Sequence, residues 1–175
     1  MAYSAIAVAN AFIEKAKAKG IKDLTPMKLQ KLVFYAHAWS LVMNDCPLVK
    51  DKVYAWPYGP VIESVYHEFK AYGSTNITNL GTEFEWDEDP NTLVRAKYVA
   101  PEIPASDRAT QSLIDAILDA YGDEDAISLS NLTHRAGSAW ATTMEEYGGG
   151  GSVRNVIIPD AVIKECTAKE LGLSD

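Results

Sequence analysis

The sequence predicts a mainly α fold of the α+β kind: a single-domain helical bundle around a buried central helix, with a few short β-strands. Three observations predict it. Residues 32–43 are apolar almost all round a helical cylinder, which demands neighbours on every side. Residues 5–16 and 113–121 carry apolar side chains at three- and four-residue spacing, as helices with one buried face do. The extended-looking stretches are short and lie among proline, glycine and acidic residues.

The first helix is expected from Tyr3 to Lys19. Ala5, Ile6, Ala9, Phe12, Ile13 and Ala16 share one face, while Glu14, Lys15, Lys17 and Lys19 share the other. Gly20 suits the C-terminal cap. Thr25-Pro26 opens the second helix, with a threonine oxygen as N-cap and proline at the first helical position. Its stripe Leu32, Val33, Ala36, Trp39 and Met43 is backed by Phe34, Ala38, Leu41 and Val42, so this helix is expected to be the spine. Asn44-Asp45-Cys46-Pro47 ends it. An extended piece follows at Lys52–Trp56, and Trp56-Pro57-Tyr58-Gly59-Pro60 makes a rigid turn. Pro60 then suits the start of a third helix, with Val61, Ile62, Val65, Tyr66 and Phe69 inward and Gly73 at its close.

Past Ser74 the pattern weakens. Short strands are expected at Asn76–Leu80, Glu83–Trp86 and Thr92–Val99. Ser106 is expected to cap a fourth helix from about Asp107 to Tyr121, with Asp107 in the first turn. Leu113, Ile114, Ile117, Leu118 and Tyr121 form its inner stripe. Ser128 starts a shorter helix carrying Leu129 and Leu132. Gly148–Gly151 reads as a loop; no Lys-Ser/Thr follows to make it a phosphate cradle. A last helix is expected near Pro159, with Val162, Ile163 and Cys166 inward.

Composition narrows the function. The chain has 175 residues, 47% apolar and 23% charged, the balance of a folded globular domain. A net charge of −8 repels phosphate backbones, so nucleic acid is not an expected partner. Cys46 and Cys166 show neither Cys-x-x-Cys pairing nor zinc spacing, and are expected to be free thiols, buried or half-buried, in a reducing compartment. No leader pattern opens the sequence and no apolar run reaches about 18 residues. A cytoplasmic protein away from membranes is therefore expected.

No constellation points to catalysis, and no enzyme activity, cofactor or metal is expected. His134 lacks a Ser/His/Asp or Cys/His signature around it. It reads first as a structural histidine near a helix end, then as a partner contact, and last as a general base. Glu63 and His67 stand four apart and read as a solvated ion pair, because a metal site would need a third ligand. His37 reads as a satisfied histidine at the edge of the core. Trp56 and Tyr58 either aim the helix that follows or face a partner. Trp86, with Glu85, Asp87 and Glu88, lies in the acidic, aromatic stretch Glu83–Asp89. That stretch reads either as a solvated loop or as a surface that docks a basic toxin or mimics nucleic acid.

Four blocks in fixed order carry a resemblance. They are residues 2–13, Leu24–Trp39, Pro47-Leu48 with Ala55-Trp56-Pro57-Tyr58-Gly59-Pro60-Val61 and Val65-Tyr66, and Leu129-Ser130-Asn131-Leu132-Thr133-His134 with Trp140. Together they resemble the SocA-like Panacea domain family of antitoxin and phage-associated proteins. The chain departs from many relatives at Tyr54 and at Arg135–Ser138. The resemblance implies an antitoxin that binds a cognate toxin encoded in the same operon, with a protease as a further partner if the domain acts as an adaptor. It also leaves open a phage or prophage regulatory or anti-defence protein that binds a host factor. Trp56, Tyr58, Trp86 and Trp140 lie near turns or loops, where contact residues gather, and join His134, Glu85, Asp87 and Glu88 as candidate partner-binding residues.

Overall fold

A computed structural model describes residues 1–91, 93, 96–147 and 156–173. Among these residues it is one mainly helical domain with two short antiparallel hairpins. The spine is α2, Pro26–Asn44. Thr25 accepts a hydrogen bond from the Lys28 amide, Pro26 fills the first turn, and Asp45 leaves the helix in the left-handed region at φ 52°. Every residue from Lys28 to Ala38 is buried, so the helix is enclosed on all sides as its apolar circumference requires. Around it pack α1 (Ala5–Ala18), α4 (Arg108–Tyr121), α5 (Ala126–Thr133) and α7 (Asp160–Glu170), with α3 (Glu63–Phe69) near by. Phe12, Leu29, Leu32, Ile114, Ile117 and Leu129 are fully buried at their meeting, and burying each such side chain stabilises by about 1.5–3 kcal/mol.

Two polar spine residues tie α2 to its neighbours. Lys28 Nζ donates to Asp23 Oδ1 at 2.8 Å and to the Gly122 carbonyl at 2.7 Å, just past α4. His37 Nδ1 accepts the Val49 amide at 3.3 Å, so the ring proton sits on Nε2, which faces Asp160 Oδ1 at 3.1 Å. Burial lowers the His37 pKa below its ordinary value, and the Asp160 carboxylate pulls it part of the way back. His37 is thus a satisfied core histidine. No helix among the described residues is long and apolar enough to cross a membrane.

The first hairpin is β1 (Val53–Trp56) with β2 (Gly59–Ile62). The expected helix at Pro60 is therefore corrected: residues 59–62 pair with β1, and α3 begins at Glu63. Gln30 of the spine decides this, because its amide side chain bonds both backbone groups of Ile62 and holds it extended. Tyr66 is exposed rather than inward, because Val65 and Phe69 take the buried face of α3. Glu63 and His67 close no ion pair among the described residues. Glu63 sits instead in the first turn, where the helix dipole favours a carboxylate. Residues 76–80 form no strand; the Asn76 side chain and Ile77 amide bond the backbone of Leu24.

The caps of two helices also differ from expectation. Asp107, not Ser106, caps α4, accepting from the Thr110 amide at 3.1 Å. Asp125 caps α5 three residues ahead of Ser128, whose amide it accepts at 2.7 Å. Helix α6 (Ala139–Glu146), capped by Ser138, adds to the expected elements. Cys166 is buried, but Cys46 is exposed, carried outward by the turn at Asp45. The second hairpin pairs β3 (Glu83–Trp86) with β4 (Ala96–Val99). The glycine run 148–151, and Thr92, Val94 and Arg95 of the expected strand, lie outside the described residues.

Candidate functional site

Trp56 pairs with Gly59 across the first hairpin, so Pro57 and Tyr58 form its loop. Tight hairpin loops need a residue at positive φ to match the strand twist. Pro57 is locked near φ −65°. Gly59 supplies the positive angle instead, at φ 106°. It also allows close approach: a Cβ there would stand 2.7 Å from Thr133 Oγ1 and 2.8 Å from Lys31 Nζ.

Side chains from three helices then occupy the carbonyls of the turn in sequence. Trp140 Nε1 donates to the Trp56 carbonyl at 2.7 Å. His134 Nε2 lies 3.0 Å from the Pro57 carbonyl. Ser130 Oγ and Lys31 Nζ donate to the Tyr58 carbonyl at 3.1 and 2.8 Å. Lys31 also donates to Pro60 at 3.2 Å, and Gln30 to Ile62 at 2.9 Å. The other nitrogen of His134 lies 2.6 Å from the Ser130 carbonyl, so each ring nitrogen faces a backbone oxygen, and a ring with a single N–H donates to one of the two. The His134 and Trp140 rings touch, with centroids 4.1 Å apart. A loop that would otherwise fray is met by side chains at five carbonyls between Trp56 and Ile62.

Lys31 is the least usual of these groups. Its side chain is buried, and burial pushes its pKa down to about 7 from the usual 10.5. A neutral amine has two N–H donors, matching its two carbonyl partners. The folded-state pKa is depressed, so folding stability attributable to Lys31 falls as pH drops from about 10.5 to about 7, then levels off. A Lys31→Met variant lacks this titration. Its urea midpoint is expected to gain on the parent's between pH 9.5 and pH 7 and to run parallel below that. A gap that stays constant across the range would show that Lys31 keeps its charge.

What the pinned turn displays is aromatic. Tyr58 is 72% exposed at the tip, and Trp56 meets Tyr66 edge to face at 4.9 Å. Together with Met27, Val61 and Lys31 they line a shallow groove of about 240 Å³. The structure therefore brings Trp56, Tyr58, His134 and Trp140 to one place. His134 and Trp140 hold the turn from below, Tyr58 is presented to solvent, and Trp56 bridges the two. Glu85, Trp86, Asp87 and Glu88 lie together elsewhere, on the β3–β4 hairpin. There Trp86 is 69% exposed, and Glu85 faces Lys97 across the strands at 3.8 Å. Gln30, Lys31, Ser130 and Gly59 were not singled out as site residues. The signal available for Gln30 and Lys31 is two adjacent polar residues on a helix that must be buried all round.

The family described as antitoxin SocA-like, Panacea domain, matches residues 29–141. The chain is 32% identical over 134 residues to antitoxin SocA of Caulobacter vibrioides strain NA1000 / CB15N. That alignment takes in 77% of this chain and 66% of the relative, so the chain spans just under two thirds of that protein's length. No solved structure matches the chain. Gln30, Lys31, Ser130, His134 and Trp140, the side chains that fix the turn, all fall inside the matched span, and the chain belongs to the SocA-like Panacea domain family.

Proposed function

We propose that this domain is an antitoxin that neutralises a cognate toxin, encoded beside it, by covering it, with no bond made or broken. The observation that carries this reading is the pinned turn. Five side chains from α2, α5 and α6 are used to immobilise a short loop whose exposed product is Tyr58 and the groove beside it. Preorganisation of this kind removes the entropy cost of ordering a loop on binding. Rigid aromatic side chains beside a groove are the usual anchors of tight protein interfaces. Family membership supplies the class of partner, since the matching relative is named as an antitoxin. Both ring nitrogens of His134 face backbone oxygens, and its ring packs against Trp140, which suits a structural role better than proton transfer.

The test is expression of the neighbouring gene's product alone and with this chain. Alone it is expected to arrest growth; together, growth returns and the two proteins purify as a stoichiometric complex. Tyr58→Ala is expected to weaken that complex by roughly 30-fold, the loss typical of an anchoring aromatic, without moving the unfolding midpoint. A harmless neighbour, or rescue by substoichiometric amounts of this chain with a chemically altered partner, would refute the reading.

A further inference from the structure

The β3–β4 hairpin is built the wrong way round for a solvated arm. Alternation along the strands puts Phe84, Trp86, Ala96 and Tyr98 on one face and Glu83, Glu85, Lys97 and Val99 on the other. The aromatic face is a cluster: Phe84 meets Trp86 at 5.1 Å and Tyr98 at 5.6 Å, both edge to face. A sheet's apolar face normally lies against the core. Here no residue of either strand is buried, and Phe84, Trp86 and Tyr98 are 51%, 69% and 74% exposed. An isolated two-stranded hairpin is marginal in water, and an exposed aromatic patch of this kind marks a contact surface.

The root of the arm, by contrast, is fixed. Asn10 of α1, buried, donates to the carbonyls of Gly81 and Pro101 at 2.9 and 3.0 Å and accepts the Gly81 amide at 2.7 Å. One side chain thus clamps the chain where it leaves for the arm and where it returns. The arm is held out as a firm projection.

Charge says what it meets. Residues 83–99 carry five carboxylates, Glu83, Glu85, Asp87, Glu88 and Asp89, against Arg95 and Lys97. A second copy of this chain would bring like charges together, so self-association is disfavoured. Glu83 and Glu85 lie on the other face, so the acidic residues that follow Trp86 directly are Asp87, Glu88 and Asp89 of the loop. Rings next to such a loop suit a guanidinium, whose planar cation stacks on aromatic faces and whose N–H groups are accepted by carboxylates. A lysine ammonium, compact and strongly hydrated, gains less from stacking. We infer that the aromatic face of the β3–β4 arm docks an arginine-bearing segment of the partner protein, as a contact additional to the pinned turn. This rests on the reading of the domain as a toxin-binding module.

Two experiments test it with the full chain. In the first, octa-arginine and octa-lysine peptides are titrated by calorimetry at low salt. Octa-arginine is expected to bind about ten-fold tighter. That preference should vanish in the triple variant Phe84→Ser, Trp86→Ser, Tyr98→Ser and persist in Glu85→Gln, which alters the opposite face. Equal affinities, or a preference that survives the triple variant, would overturn the inference. In the second, the triple variant is titrated against the neighbouring gene's product and is expected to lose roughly 30-fold in affinity at an unchanged unfolding midpoint. If that product binds the triple variant as tightly as the parent, the inference fails and the antitoxin reading stands. If the product is harmless and unbound while the arginine preference holds, the antitoxin reading fails and the arm keeps its chemistry. A dimer at working concentration that the triple variant dissolves would show that a second copy covers the face, overturning the assignment.

Discussion

Gly59→Ala is expected to destabilise the fold by about 2–4 kcal/mol, the range of a strained backbone combined with a buried clash. Two independent costs meet at this residue. Its φ of 106° is a conformation that L side chains rarely adopt. The added methyl would also stand 2.7 Å from Thr133 Oγ1 and 2.8 Å from Lys31 Nζ. Neither neighbour is free to retreat. Thr133 Oγ1 donates to the Ser130 carbonyl at 2.7 Å, and Lys31 is fully buried and bonded to Tyr58 and Pro60. The turn would have to lift off its pins, exposing carbonyls that Lys31, Ser130 and His134 now occupy. A urea titration should show a lower midpoint at unchanged slope, and the partner should be lost along with the turn. A stability loss of less than about 0.5 kcal/mol, the scale of an ordinary surface substitution, would mean that the turn is not held as described.

The helical frame was legible because its signals are local. Thr25-Pro26 announces α2, Pro159 the start of α7, and the stripes of α1 and α4 repeat at helical spacing. Errors fell where two residues offered the same local chemistry and a distant contact chose between them. Ser106 and Asp107 are both good caps; Tyr3 Oη, donating to Asp107 Oδ2 at 2.5 Å, settles the choice from the far end of the chain. Pro60 suits a helix start as well as a strand edge, and the Gln30 side chain decides for the strand. Helix α6 is short and half polar, so its periodicity is weak, and its clearest local mark is the Ser138 cap.

The candidate site was legible as a set of residues and not as a division of labour. Aromatic residues beside Pro and Gly marked the first hairpin correctly as a special place. Which of them support and which are displayed depends on hydrogen bonds spanning 72 to 84 residues, from Ser130, His134 and Trp140 to the turn. The acidic arm shows the opposite case. Once Glu83–Trp86 is taken as a strand, period-two alternation alone places Glu85 opposite Trp86, so Glu85 and Trp86 cannot share one contact face. The pairing with Ala96–Val99 adds Tyr98 to the aromatic side.

Asn10→Leu is expected to cost about 2–4 kcal/mol and to release the arm, because it leaves backbone groups at Gly81 and Pro101 without their partner. Leucine has the same branching and heavy-atom count as asparagine and suits the helix, so α1 itself should persist. The loss therefore belongs to the arm's root, where a buried polar group left unpaired costs about 1–3 kcal/mol. Asn10→Asp sharpens the test. It keeps an acceptor for the Gly81 amide but sets a carboxylate against two carbonyl oxygens, and should be at least as damaging as leucine. Hydrogen exchange separates the clamp from general loosening. Amides of β3 and β4 should exchange faster by a larger factor than those of α2, whose protection follows global stability. If the hairpin amides slow and quicken only in step with the spine, the arm is held by its own pairing and Asn10 is an ordinary core residue. With no buried residue in either strand, and among the described residues only the exposed bonds from Thr82 to Glu68 beside the Asn10 clamp at the root, the two factors should diverge.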